Sequence, residues 1–277
     1  MRLSVAILGL ALVMTAAPAA WGETVEPAEV EDIGSGLHGI LYRPEGAGPF
    51  PGVVALHGCG GLVNRAGKVV SRFADWGNRL AAVGFAVLFP DSYASRGLTA
   101  QCRVRERKVR SSRERVADAQ AAQRWLQNQP WAKKDHVSVI GWETGAMAAL
   151  WAVRRRAVAR EPPPDFRSAV AFYPGCQQLR NSAWSARVPT LILIGRADDW
   201  TPPGPCEQMV AEARGRSARA AIVVYPGAFH DFDRPDYPER VINDLAFTAD
   251  GSGRAHVGTN AAAREDAIRR VRVWLLR

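Results

Sequence analysis

The chain has 277 residues and a mass of 30.1 kDa, with 47% hydrophobic and 23% charged residues and a formal net charge of +9. That apolar share is too high for a disordered chain, and no collagen-like or heptad period runs through it. Length and composition describe a globular protein able to bury a full core.

Residues 1–22 read as a separate object. Met1 and Arg2 give a short positive start, residues 3–14 are almost entirely apolar, and small residues lead to Ala20, Trp21 and Gly22. This is the layout of a secretory signal peptide cleaved after Gly22, and its apolar stretch falls short of the roughly 20 residues that span a bilayer. The expected mature protein is exported, periplasmic or secreted, with no stable membrane insertion after signal cleavage.

From residue 36 onward short apolar runs alternate with amphipathic stretches. Residues 53–56 read as a buried strand, followed by a glycine turn and a helix whose apolar face is Phe73, Trp76, Leu80 and Val83. Gly84 ends that helix and residues 85–89 form the next strand. The pattern then predicts a long helix over 107–128, a strand over 137–140, a helix over 146–158 and strands over 169–172 and 190–194. A helix over 206–214, a strand over 221–224 and a last helix over 262–276 complete it. Strands buried on both faces and separated by helices imply an α/β fold, with a mostly parallel sheet and helices on both faces. Residues 161–165 (Glu-Pro-Pro-Pro-Asp) read as a rigid surface turn and residues 250–260 as a mobile loop. No linker rich in Gly or Ser interrupts the pattern, so residues 23–277 are expected to form a single domain.

Lys and Arg together number 36, and only Lys68, Lys108, Lys133 and Lys134 are lysines. The densest basic run, residues 103–115, is interleaved with Glu106 and Glu114 and holds no aromatic residue. A nucleic-acid surface needs a basic stripe with stacking groups, so this run reads as a solvated helix face and no nucleic-acid partner is expected. Four cysteines in an exported chain permit disulfides. Cys176 and Cys206 each lie just beyond a predicted strand end, as do Cys59 and Cys102. A Cys176–Cys206 bridge would close a loop of about 30 residues and stabilise the fold by roughly 3–4 kcal/mol in the chain-entropy account.

In an open parallel sheet reactive residues collect at the carboxyl ends of strands. Three such ends stand out. The strand over 137–140 runs into Gly141-Trp142-Glu143-Thr144-Gly145 and a small-residue helix, the shape of a nucleophile elbow. The strand over 190–194 runs into Gly195-Arg196-Ala197-Asp198-Asp199-Trp200-Thr201-Pro202, and the strand over 221–224 into Tyr225-Pro226-Gly227-Ala228-Phe229-His230-Asp231-Phe232. Elbow, acid, histidine is the chain order of the α/β-hydrolases.

These motifs, with His57-Gly58-Cys59-Gly60-Gly61, Pro90-Asp91-Ser92 and Tyr173-Pro174-Gly175-Cys176, resemble the dienelactone hydrolase family and its exported relatives over nearly all of the mature chain. The resemblance implies an α/β-hydrolase fold and a hydrolase of small esters or lactones that uses neither metal nor organic cofactor. It implies His230 as general base and Asp198 as its orienting acid, four residues before Pro202, with Asp199 as competitor. The backbone N–H groups of Cys59 and Thr144 would form the oxyanion hole. His57 reads as a structural turn residue, and His38, His136 and His256 receive no role. Trp142, Trp200, Phe229 and Phe232 flank the motifs and are candidates for an apolar pocket wall. Tyr93, Arg96 and Arg103 follow the third strand, where an arginine would suit a carboxylate substrate.

One position departs from the family: the elbow residue, Ser or Cys elsewhere, is Glu143. A glutamate attacking an acyl carbon gives a mixed anhydride, and the tetrahedral intermediate expels the carboxylate, of pKa about 4.3, in preference to an alkoxide. Three chemistries stay open. Glu143 is a nucleophile at saturated carbon, as in an epoxide or alkyl substrate, and His230 then activates water against the resulting ester. Or Glu143 and His230 are general bases for water attacking an ester or lactone directly. Or the protein is catalytically inactive and binds a small ligand in the former cleft. A Glu143 close to His230 is expected to raise the imidazole pKa by opposite-charge attraction.

Overall fold

A computed structural model describes residues 25–155 and 164–277. The strands β1 (Ala28–Val30), β2 (Gly39–Tyr42), β3 (Phe50–Leu56), β4 (Ala86–Pro90), β5 (Ala132–Trp142), β6 (Ala169–Phe172), β7 (Thr190–Gly195) and β8 (Ala220–Tyr225) form one sheet in the order β1-β2-β4-β3-β5-β6-β7-β8. β2 pairs antiparallel with both β1 and β4, and every pairing from β4 to β8 is parallel. The helices are α1 (Ser71–Ala82), α2 (Glu114–Gln127), α3 (Thr144–Ala152), α4 (Gln177–Asn181), α5 (Pro203–Glu212) and α6 (Ala261–Leu275).

Alternation along β3 shows why the strands read as unbroken apolar runs. Val53 and Ala55 join a core with Phe73, Trp76 and Leu80 of α1 and with residues of α5 and α6. Val54 and Leu56 join a second core on the other face, with Val116, Ala119, Ala122 and Leu126 of α2. Successive side chains point to opposite faces, and both faces are covered, so no polar alternation survives in the sequence. Parallel pairing also brings the carboxyl ends of β3, β5, β7 and β8 to one edge, where the loops holding Cys59, Glu143, Asp198 and His230 begin.

Three expected elements differ. The helix predicted over 107–128 begins at Glu114; residues 107–113 form turns instead. Their charges supply no apolar stripe to lay on the sheet, and Ser111 spends its hydroxyl on the Thr144 carbonyl at 2.9 Å. The helix predicted over 146–158 begins earlier, at Thr144, and ends at Ala152. The loop predicted over 250–260 contains β10 (Ala255–Val257), paired antiparallel with β9 (Arg240–Ile242). Most of the turn expected over 161–165, and the whole signal segment, lie outside the described residues. Among the described residues no helix is long and apolar enough to cross a membrane.

Candidate active site

Glu143 sits between the last residue of β5 and the first of α3 at φ 50° and ψ −112°, a backbone strain of order 1–3 kcal/mol for a non-glycine residue. The residues two before and two after it, Gly141 and Gly145, permit that turn because they are glycines. A Cβ on Gly141 would lie 2.3 Å from the Gly145 carbonyl oxygen, and one on Gly145 would lie 2.0 Å from the Leu56 carbonyl oxygen at the end of β3. The Glu143 N–H donates to Phe172 O on β6 at 3.0 Å, and its carbonyl accepts the Met147 N–H at 2.9 Å, the first helical bond of α3. The elbow therefore projects a buried carboxylate at the sheet edge.

That carboxylate meets the turn after β3. The Cys59 N–H donates to Glu143 Oε2 at 2.6 Å. On the other flank of the elbow, Thr144 is gripped by its carbonyl, bonded by Ser111, and by its hydroxyl, 3.2 Å from Nη1 of the buried Arg115.

His230 and Asp198 are both buried, with His230 Nδ1 2.9 Å from Asp198 Oδ2. Asp198 Oδ1 accepts the N–H groups of Trp200 at 3.0 Å and Thr201 at 2.8 Å. The Thr201 hydroxyl lies 3.0 Å from Tyr173 O, 3.1 Å from Asp198 Oδ2 and 3.1 Å from His230 Nδ1. Tyr173 and Trp200 flank the imidazole, with ring centroids 4.3 and 4.5 Å away. The competitor Asp199 turns outward and bonds His256, with Oδ2 2.7 Å from Nδ1. Of the two acids, Asp198 is the one that bonds His230 and Asp199 the one that bonds His256.

Burial alone would lower the His230 pKa, but the charges of Asp198, which also hydrogen-bonds the ring, of Asp231 and of Glu143 outweigh it and raise it. His57 goes the other way. Its burial, with the positive charge of Arg115, holds the pKa well below the ordinary value, so the ring is neutral. Its Nδ1 lies 2.8 Å from Gly58 O, and its Nε2 accepts the Ser92 N–H at 3.3 Å, as suits a turn residue.

Several expected pocket residues lie elsewhere. Trp142 is fully buried among Phe73, Trp76, Phe89 and Phe172, because strand alternation turns it into the core beside Ile140. Phe232 is likewise core, and Phe229 stacks on His256. Tyr93 is buried against His57 and under Arg115. Arg96 is committed to Asp118 through two hydrogen bonds of 2.7 and 3.0 Å, and Arg103 lies along the surface near Asn243 O. Of the expected wall, Trp200 remains at the site.

A buried polar cluster behind His230 has no counterpart in the sequence reading. Asp233 Oδ2 accepts the indole N–H groups of Trp76 and Trp142, both at 2.8 Å, and its Oδ1 accepts the Tyr173 hydroxyl at 2.6 Å. Arg72 donates to the Tyr173 hydroxyl at 2.7 Å and pairs with Asp231 at 2.6 Å. The cluster ties the loop after β8 to the residue preceding the elbow.

The sequence model of the Dienelactone hydrolase family matches residues 37–277. The chain belongs to the dienelactone hydrolase family. It is a hydrolase by that membership, and none of the curated proteins matches it in sequence. Its fold is similar to the crystal structure of a Klebsiella pneumoniae protein assigned as a dienelactone hydrolase, at 20% identity and TM-score 0.69, covering 92% of this chain and 100% of that one. It is also similar to Thermogutta terrifontis esterase 2 phosphoramylated by tabun, at 16% identity and TM-score 0.62, covering 94% and 97%. The propionate-bound form of that esterase aligns at 15% identity and TM-score 0.60, covering 91% and 94%.

In this family member the disulfides are Cys59–Cys102 and Cys176–Cys206, an arrangement compatible with export to an oxidising compartment. The family implies a small-molecule substrate. Glu143 rests one oxygen on a backbone N–H, and it lies close enough to the Asp198-bonded imidazole of His230 for its charge to help raise that ring's pKa.

Proposed function

We propose that this family member hydrolyses a small substrate at saturated carbon, an epoxide or an activated alkyl compound, with Glu143 as nucleophile and His230 as base. The observation that carries the reading is the 2.6 Å hydrogen bond from the Cys59 N–H to Glu143 Oε2. Water attacking an ester directly would need that donor for the substrate's own carbonyl oxygen. Here the donor holds Glu143, which leaves Oε1 as the attacking atom.

The steps balance as follows in bonds and protons. Glu143 Oε1 forms a bond to the substrate carbon while the bond to the epoxide oxygen or other leaving group breaks; an epoxide alkoxide takes a proton from solvent. Water then attacks the glutamyl ester carbonyl carbon and gives a proton to His230. The oxygen on the Cys59 N–H becomes the oxyanion, where one such donor is worth about 10²–10³ in rate. Collapse expels the product alkoxide, which takes the proton back from His230; Glu143, left as the acid with one oxygen from water, releases the second water proton to solvent and is a carboxylate again. Asp198 and Thr201 hold the ring in place for this transfer, and the two disulfides fit a mature protein working outside the cytoplasm.

Single turnover in heavy-oxygen water tests the assignment. The label is expected in the Glu143 carboxylate, with the first product molecules unlabelled. Label in the first product and none in Glu143 would replace the nucleophile by a general base. Equal background rates for the wild type, Glu143→Ala and His230→Ala on epoxides, alkyl halides, lactones and esters would leave a ligand-binding protein.

The pH dependence follows from the raised imidazole pKa. His230 accepts a proton only when neutral, so the hydrolytic step is expected to rise with pH through a midpoint above about 6.5, the ordinary histidine value. For stability the sign is opposite. The protonated ring is favoured in the fold, a contribution complete below about pH 6.5 and lost as pH rises through the folded pKa. Asp198→Asn is expected to lower the midpoint in a pH–rate profile; an unchanged midpoint would remove Asp198 from the role.

A further inference from the structure

The Cys59–Cys102 disulfide lies where a structural bridge has a chemical consequence. Cys59 supplies the N–H that holds Glu143, and it belongs to a five-residue turn, His57-Gly58-Cys59-Gly60-Gly61, that contains three glycines. Such a turn has little intrinsic stiffness. Its covalent partner, 43 residues away, lies in a segment that also grips the other flank of the elbow. The Gln101 N–H donates to Cys59 O at 2.7 Å, beside the bridge, and Ser111 of the same segment donates to Thr144 O at 2.9 Å. The segment is anchored in turn, because the Ala246 N–H donates to Cys102 O at 2.9 Å.

We propose that Cys102 is a positioning residue: through its disulfide it fixes the Cys59 N–H on the Glu143 carboxylate, so that full hydrolytic rate belongs to the oxidised protein. This rests on Glu143 as nucleophile for its kinetic part alone; the hydrogen bond is observable without turnover. The bridge acts on the second half-reaction, where the glutamyl ester oxygen becomes an oxyanion. The first half-reaction, attack by Oε1, needs no charge stabilisation at that N–H.

The test compares the oxidised wild type with Cys102→Ser, with the Cys59→Ser/Cys102→Ser pair, which keeps an N–H at position 59, and with Cys176→Ser/Cys206→Ser, which removes the other bridge. In ¹⁵N-resolved spectra the residue 59 amide proton is expected far downfield in the wild type and lost from that position in Glu143→Gln. It is expected to move upfield in both untethered variants and to stay in place when the other bridge is removed. In single-turnover kinetics the untethered variants are expected to hydrolyse the covalent adduct about 10-fold or more slowly, within the roughly 10²–10³ set by loss of a whole oxyanion donor, and to slow its formation by less than that. Adduct then accumulates in intact-mass spectra. An amide position and an adduct lifetime unchanged by the loss of Cys102 would overturn the proposal. If no adduct forms in the wild type, the nucleophile assignment fails and the amide position alone decides. Should the untethered variants not fold, mild reduction of the folded wild type, followed by the same amide signal, gives the same decision.

Discussion

Glu143→Ser is expected to turn the protein into an ordinary acyl-ester hydrolase while abolishing reaction at saturated carbon. The elbow is set by Gly141 and Gly145 against Leu56 and by the Phe172 backbone, none of which senses the side chain at 143. A serine there leaves the Cys59 N–H for the substrate's carbonyl oxygen, and the Asp198-bonded His230 stays in place as the proposed base. With one oxyanion donor worth about 10²–10³ and a positioned base about 10²–10⁴, a gain of at least about 10²-fold in kcat/KM on short acyl esters is expected over Glu143→Ala. A folded Glu143→Ser protein no faster than Glu143→Ala on every ester tried would mean that the rim is not set for acyl transfer.

The second large effect is on stability. Asp233 is fully buried and is the acceptor for three donors, the indoles of Trp76 and Trp142 and the hydroxyl of Tyr173. Asp233→Ala leaves all three without that acceptor, at about 1–3 kcal/mol for each unsatisfied buried group. A loss of about 3–5 kcal/mol is expected in denaturant unfolding, after relaxation and repacking. Asp233→Asn, which retains one acceptor oxygen, is expected to lose less. Because Tyr173 flanks His230 and Trp142 precedes Glu143, Asp233→Asn is also expected to reduce kcat more than it raises KM. Unfolding of Asp233→Ala within about 0.5 kcal/mol of the wild type would show that the cluster adds nothing.

What the sequence disclosed and what it hid divide by the range of the interaction. The strands were legible because burial on both faces leaves continuous apolar runs, as in residues 53–56 of β3. The elbow was legible because two glycines at fixed spacing answer a local steric demand. The order of elbow, acid and histidine carried the fold family, and the family match over residues 37–277 agrees with it. Local signals could not show where side chains end. Trp142 sits in a motif and so looked like pocket wall, although its alternation with Ile140 already placed it on a core face. The contacts of Asp233 with Trp142 and Trp76 span 91 and 157 residues, and the Cys59–Glu143 bond spans 84. No periodicity encodes such pairings. The charge run over 107–113 differs for another reason: with Val109 as its one apolar residue it has no stripe to lay along the sheet, so the segment is held by separate contacts and not as a helix.

The independence of the elbow backbone from its central side chain bears on how activities diversify. The positions that would break the scaffold if altered are the flanking glycines, while Glu143 at the tip keeps its positive φ through main-chain bonds to Phe172 and Met147. The side chain at the tip is therefore open to exchange without loss of the main-chain path, so a change of chemistry there need not cost the fold.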